Sequence, residues 1–167
     1  MPCTGRNSIG QNRVNNISRD PDTQKVTLRA LVESDLPLFF DHQNDPGAEE
    51  MVGLPSRARD DFFDHWHKVM ANETIILRTI LFEGQIAGYL CSFVKEEDER
   101  EVGYQLGREY WGKGIATQAL QLFLPLILYR PLYGVTPAHN IGSQKVLTRC
   151  GFVLSEENEG LLKYKLL

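Results

Sequence analysis

Past residue 24 the spacing of apolar positions changes several times, and each change marks an expected element. Lys25–Val32 (KVTLRALV) alternates, which predicts a strand with one apolar face. Ser34 then reads as a helix N-cap, with Asp35 in the first turn and Pro37 close behind, and that helix runs to about Gln43. Asp45-Pro46-Gly47 breaks it. Over Arg57–Ala71, the positions Phe62, Phe63, Trp66, Val69 and Met70 recur at helical spacing and predict a second helix. Thr74–Phe82 and Gln85–Val94 are apolar and β-branched around Glu83-Gly84, the pattern of a hairpin with a glycine in its turn. Lys95–Arg100 reads as a charged turn, and Glu101–Leu106 as the third strand of an antiparallel meander.

The second half predicts a helix over Gly114–Tyr129, with Ile115, Ala119, Leu122, Phe123 and Leu126 on one side. Pro125 should kink that helix or end its first half. Leu132–Pro137 follows as a strand, and Ile141–Cys150 as a short helix with Gly151 as its C-cap. Phe152–Ser155 and Gly160–Leu167 close the chain as a strand pair. This order predicts one α+β domain over residues 25–167, a mixed sheet with helices on both faces. Residues 1–24 are polar and without period, and read as a flexible tail.

Composition narrows the function. A length of 167 residues suits one sizeable core, and a net charge of -4 gives no reason to expect nucleic-acid binding. Cys3, Cys91 and Cys150 are odd in number, scattered and without Cys-x-x-Cys spacing, so neither a disulfide framework nor a zinc site is expected. Reduced, buried thiols suggest a cytoplasmic protein. The N-terminus lacks an apolar signal core, and the longest apolar run, Leu122 to Tyr129, is too short to span a membrane.

The chemistry concentrates in Gly103-Tyr104-Gln105-Leu106-Gly107-Arg108-Glu109-Tyr110-Trp111-Gly112-Lys113-Gly114-Ile115-Ala116-Thr117. A strand runs into a glycine-rich turn that opens a helix. Unpaired N–H groups and the helix dipole at such a start favour an anion, and Gly112 and Gly114 let a phosphate approach the backbone. A P-loop reading fails because Gly114 stands where the magnesium-holding Ser or Thr belongs. The dinucleotide fingerprint fails at Thr117. A plain turn without a ligand stays open on this segment alone.

Trp111-Gly112-Lys113-Gly114-Ile115-Ala116 resembles the acetyl-CoA motif of the GNAT superfamily, Gln/Arg-x-x-Gly-x-Gly/Ala, with Trp at the first position. Trp there is familiar in the branch similar to the ribosomal-protein N-terminal acetyltransferases. Asn140-Ile141-Gly142-Ser143, Val146-Leu147 and Cys150-Gly151-Phe152 resemble a second block of that branch. Leu28-Arg29 with Asp35, and Glu101-Val102-Gly103-Tyr104, match further pieces, so the resemblance spans roughly Val26 to Leu167.

That resemblance implies a mostly antiparallel sheet in which Glu101–Leu106 and Leu132–Pro137 are parallel neighbours that splay. It implies acetyl-CoA as cosubstrate, with Leu106 at the pantetheine arm and the N–H groups of Trp111, Gly112, Lys113, Gly114, Ile115, Ala116 and Thr117 at the pyrophosphate, without a metal. Asn140 would orient the cofactor and Ser143 would be the proton donor to the leaving sulfur, since Leu147 stands where many relatives carry a Tyr. On local sequence, Asn140 and Ser143 also read as helix caps. Glu101 is the candidate base, directly or through water, although a solvated carboxylate is the plainer reading beside Glu96, Glu97, Asp98 and Glu99. Tyr104 reads as packing on the other face of its strand. His65 and His67 lie on the second expected helix beside Trp66, where His65 reads as packed or surface-exposed rather than catalytic, and His42 and His139 lack metal-type partners.

The expected activity is transfer of an acetyl group to a primary amine, on a small molecule or a protein N-terminus. A lysine-like amine with a pKa near ~10.4 costs roughly 4–5 kcal/mol to deprotonate at neutral pH, an α-amine near ~8 about 1 kcal/mol. A non-catalytic acyl-CoA sensor on the same fold is the alternative. Monomer and homodimer both stay open.

Overall fold

The computed structural model describes residues 25–52, 56–95 and 98–167. The expected tail over residues 1–24, and Glu96 and Glu97 of the acidic turn, lie outside the described residues. The alternating segments become strands: β1 (Val26–Arg29), β2 (Ile76–Phe82), β3 (Gln85–Val94), β4 (Arg100–Leu106), β5 (Leu132–Pro137), β6 (Val153–Asn158) and β7 (Leu161–Leu166). They form one sheet in the order β1-β2-β3-β4-β5-β7-β6. Every pairing is antiparallel except β4 with β5.

Helices cover both faces. Along β3 and β4 the side chains alternate. Leu90, Val102 and Leu106 join Ile115, Ala119, Leu120, Phe123 and Leu147 in one core, beneath α4 (Ile115–Phe123) and α5 (Ile141–Arg149). On the other face, Phe39 of α1 (Leu36–Gln43) and Phe62 and Trp66 of α3 (Arg59–Ala71) close over Tyr89. The Trp66 and Tyr89 rings meet edge-to-face at 4.8 Å. Each fully buried side chain of this kind contributes on the order of 1.5–3 kcal/mol.

Several boundaries differ from the sequence expectation, each for a local reason. Ser34 does not cap α1. Glu33–Asp35 form a single tight turn, and Asp35 precedes the helix. The Asp35 carboxylate instead accepts both Arg29 nitrogens at 2.7 Å, the Thr79 hydroxyl at 2.6 Å and the Val32 N–H at 3.1 Å. Asp45-Pro46-Gly47 ends α1 but also starts a helix, α2 (Pro46–Val52). Pro46 needs no donor at a helix start, and Asp45 Oδ1 accepts the Gly47 N–H at 2.9 Å. The helix expected over Gly114–Tyr129 stops at Phe123, because Pro125 lacks the N–H that the next turn requires, and only a short tight turn at Leu124–Leu126 follows.

Candidate active site

Strands β4 and β5 pair at only two positions, Arg100 with Leu132 and Glu101 with Tyr133. Beyond them the strands part. β4 stays paired with β3 as far as Leu106 opposite Gly88, and β5 stays paired with β7 as far as Pro137 opposite Leu161. The gap therefore has two rigid lips, Val102–Leu106 and Gly134–Pro137, whose facing backbone groups have no strand partner across it. Such an edge suits an extended, amide-bearing molecule. The closed end is pinned by buried Arg100, which donates to the Thr74 carbonyl at 3.1 Å and stacks 4.5 Å above the Tyr129 ring.

The glycine-rich turn lies at the open end. Gly107 adjoins buried His42 so closely that a Cβ there would stand 2.5 Å from His42 Nε2. Gly112 and Gly114 both have positive φ, 70° and 76°, where residues with a Cβ are strained. No atom lies within 4 Å of a Cβ built on Gly112, and only Gln118 Nε2, at 3.9 Å, approaches one on Gly114. The first bond of α4 runs from the Gln118 N–H to the Gly114 carbonyl at 3.1 Å, so the N–H groups of Ile115, Ala116 and Thr117 precede the helix ladder. An exposed, glycine-lined helix start with free donors fits a pyrophosphate. The Trp111 N–H, expected among the donors, is instead spent on the Arg108 carbonyl at 3.1 Å. The Trp111 indole instead donates to the Leu106 carbonyl at 3.0 Å and braces the turn against β4. Leu106 itself is buried, and Lys113 is exposed beside the cradle.

The two candidate catalytic side chains lie on opposite faces of the gap. Glu101 is 7% exposed at its vertex, on the α1/α3 face, since Gln105 two pairs along accepts the Tyr89 hydroxyl at 3.2 Å on that side. Its Oε1 lies 3.4 Å from Lys95 Nζ. Neighbouring Cys91 adjoins Gly103, and burial, aided by the Glu101 charge, pushes its thiol up to about 12, which leaves it protonated and unreactive at neutral pH.

Ser143 stands on the α4/α5 face in the first turn of α5. Asn140 is the cap of that helix. Its side-chain oxygen accepts the Ser143 N–H at 3.0 Å, and its amide donates to the Met51 carbonyl at 3.0 Å. Tyr104 reaches from β4 to place its hydroxyl 2.8 Å from Ser143 Oγ and 3.2 Å from the Ser143 carbonyl. Sequence reasoning placed Tyr104 on the strand's other face from Glu101 but missed this contact. Leu147 is buried against Gly134 of β5, where a Cβ would meet it at 2.6 Å.

Helix α2, also missed, reaches across the gap. Arg108 of the glycine-rich turn lies 3.5 Å from Asp45 at its start, and His139 Nε2 lies 2.9 Å from the Glu50 carbonyl near its end. The Asp45-Pro46 pair, a cap followed by a first-turn proline, was the available signal. Among the described residues no cluster of three or more His, Cys, Asp or Glu is placed to hold a metal ion, and no helix is long and apolar enough to cross a membrane.

Residues 25–153 match the acetyltransferase (GNAT) domain family. An uncharacterized N-acetyltransferase, p20, of Bacillus licheniformis is 30% identical over 84% of this chain and 84% of its own length. Among solved structures, RimL, the ribosomal L7/L12 alpha-N-protein acetyltransferase in complex with coenzyme A, superposes with a TM-score of 0.72 at 19% identity, over 88% of this chain and 96% of that one. The aminoglycoside acetyltransferase AAC(6')-Ib in complex with coenzyme A gives 0.71 at 20% identity, over 84% and 92%. With its splayed parallel pair and these matches, the chain belongs to the GNAT acetyltransferase family and is an acetyl-CoA-dependent N-acetyltransferase.

Proposed function

We propose that the chain acetylates a primary amine that enters from the α1/α3 face, with Glu101 drawing off the ammonium proton directly or through one water. The observation that carries this reading is the parting of β4 from β5 just past the Glu101–Tyr133 pair. It leaves an opening through the sheet with a carboxylate on one face and the Ser143 hydroxyl on the other. Bound acetyl-CoA would supply the acyl group as a thioester. The N–H groups of Gly112 to Thr117 hold its pyrophosphate, the lip at Val102–Leu106 holds its arm, and Asn140 fixes the α5 start beside it. Ser143 presents its hydroxyl to the departing sulfur as a hydrogen donor.

An amine must shed its proton before it can attack, and the buried Glu101 carboxylate, 3.4 Å from Lys95 Nζ, would accept it. Aminoglycoside and protein N-terminal amine acetyltransferases share this fold, which supports an amine acceptor of either kind. A cytoplasmic location is proposed on the free thiols among the described residues, Cys91 and Cys150. The decisive experiment is acetyl-CoA turnover, read as free thiol, against a panel of aminoglycosides, polyamines and short peptides with free N-termini. No turnover above hydrolysis with any of these amines, while CoA still binds, would count against an acceptor of these classes.

A further inference from the structure

The Tyr104–Ser143 contact is unusual for its place. A serine in the first turn of a helix ordinarily turns its hydroxyl back onto a neighbouring backbone group. Here the cap is supplied by Asn140, and Ser143 Oγ meets a phenol that arrives from the opposite lip of the gap. Tyr104 is half-buried against the α4/α5 core, so its ring is fixed and only its hydroxyl proton can choose a direction.

That choice decides what Ser143 can do. A hydroxyl has one proton and accepts at two lone pairs. If the phenol donates to Ser143 Oγ, the serine proton is free to point into the gap. If the phenol donates to the Ser143 carbonyl, the serine proton is drawn onto the phenol oxygen and nothing is offered to the gap. The distances favour the first arrangement: 2.8 Å to Oγ sits at the preferred O–H···O length, and 3.2 Å to the carbonyl is long. The Ser143 carbonyl also faces along α5 and serves that helix's own ladder.

We infer that Tyr104 is a positioning residue for thiol departure: its phenol donates to Ser143 Oγ and so reserves the serine proton for the sulfur that lies between β4 and β5. The inference rests on the reading of Ser143 given above as the donor to that sulfur. No proton leaves either hydroxyl. Burial holds the Tyr104 phenol well above its ordinary value of 10.0, against the Ser143 hydrogen bond that lowers it, and Cys150, whose own thiol burial raises, pushes it up further. A thiol titrates near ~8.5, so moving the phenolic proton onto a thiolate would run uphill. The Tyr104–Ser143 chain instead stabilises the thiolate by hydrogen bonding, and the sulfur takes its proton from water after release.

The test reads the thiol of bound CoA by the ultraviolet absorbance of its thiolate as pH is raised, without turnover. In the unaltered protein the bound thiol should titrate below free CoA. Ser143→Ala and Tyr104→Phe should each raise it by roughly half a unit to one unit, the scale of one hydrogen bond, and the double variant should raise it no further than Ser143→Ala alone. Fluorotyrosine at position 104 keeps the ring and makes the phenol a stronger donor, so it should lower the bound thiol further. If Ser143→Ala raises the value and neither Tyr104 change moves it, the role of Tyr104 is overturned while that of Ser143 stands. If Ser143→Ala leaves the value unchanged, the Ser143 reading fails and the Tyr104 inference with it. A fluorotyrosine shift in the opposite direction would show the phenol accepting from Ser143 and would overturn the inference, even if Tyr104→Phe does not fold.

Discussion

Asn140 Oδ1 accepts the backbone N–H of Ser143 at 3.0 Å, and that bond separates two roles the local sequence left joined. The cap of α5 is Asn140. The Ser143 side chain caps nothing and points to Tyr104. Asn140→Ala should therefore cost about 1 kcal/mol, at most ~2, and lower Tm by a few degrees. Ser143→Ala should leave capping intact and lower kcat by up to about 10-fold, the scale of one hydrogen bond to the departing sulfur, with little change in KM for acetyl-CoA. Thermal unfolding and steady-state kinetics on the same samples check both. A Ser143→Ala enzyme with normal kcat removes Ser143 from the chemistry.

The anion cradle makes a second prediction. A Cβ at Gly114 would meet only the end of the Gln118 side chain, at an ordinary contact distance of 3.9 Å. Its cost to folding is the left-handed backbone alone, about 1–2 kcal/mol. Gly114→Glu should thus fold, yet lose CoA binding, because bulk and negative charge stand where a phosphate belongs. Calorimetry with excess chelator should show that the unaltered protein binds CoA without a divalent cation. Binding that disappears on chelation would contradict the metal-free cradle.

The parts of the fold that follow one local rule were legible in the sequence. Alternation marked β1, apolar β-branched runs marked β2 and β3, and the Glu83-Gly84 turn fixed the hairpin, whose residues do take positive φ. The glycine-rich turn was legible because phosphate approach and positive φ both select Gly112 and Gly114. Helix α2 was not, since Pro46 ends one helix and opens another with the same residue. Nor was the Tyr104–Ser143 contact: it joins two elements 39 positions apart, and alternation assigns Tyr104 a face without saying how far its hydroxyl reaches. Asp35 shows the same limit. Its position near a helix start suggested a first-turn charge, whereas it is the buried partner of Arg29 and Thr79.

Gly107 is a close-approach position of a different kind from Gly114, with negative φ and a crowded Cβ direction. A methyl there would lie 2.5 Å from His42 Nε2 and 2.8 Å from Glu109 Oε2. Glu109 is exposed and can swing away, but His42 is buried and cannot. Gly107→Ala should cost about 1–3 kcal/mol. Pairing it with His42→Ala should recover part of that loss, measured by urea unfolding of the two single variants and the double. Additive losses would show that the clash lies elsewhere.

His42 also sets a pH limit on stability. Burial lowers its folded pKa below 6.5, against the Glu109, Asp41 and Asp45 charges that act to raise it, and its Nε2 has no hydrogen-bond partner among the described residues. Below about pH 6.5 the unfolded chain therefore binds a proton that the folded chain resists. Stability should be complete above that value and fall as pH drops from 6.5 towards the folded pKa, by at most ~1.4 kcal/mol per pH unit. Asp35 acts in a separate window. Burial alone would raise its carboxyl, but hydrogen bonds from Arg29, Thr79 and Val32 outweigh that and hold it below 3.8, so its contribution is lost only under stronger acid. His65 is shifted the same way as His42, by burial and by Arg57 and Lys68, but it is exposed and screened, so its share should be small. Urea unfolding between pH 7.5 and 5 should show a slope that His42→Gln flattens and His65→Gln leaves nearly unchanged. A His42→Gln protein with the unaltered slope would place the acid sensitivity outside the contact beneath Gly107.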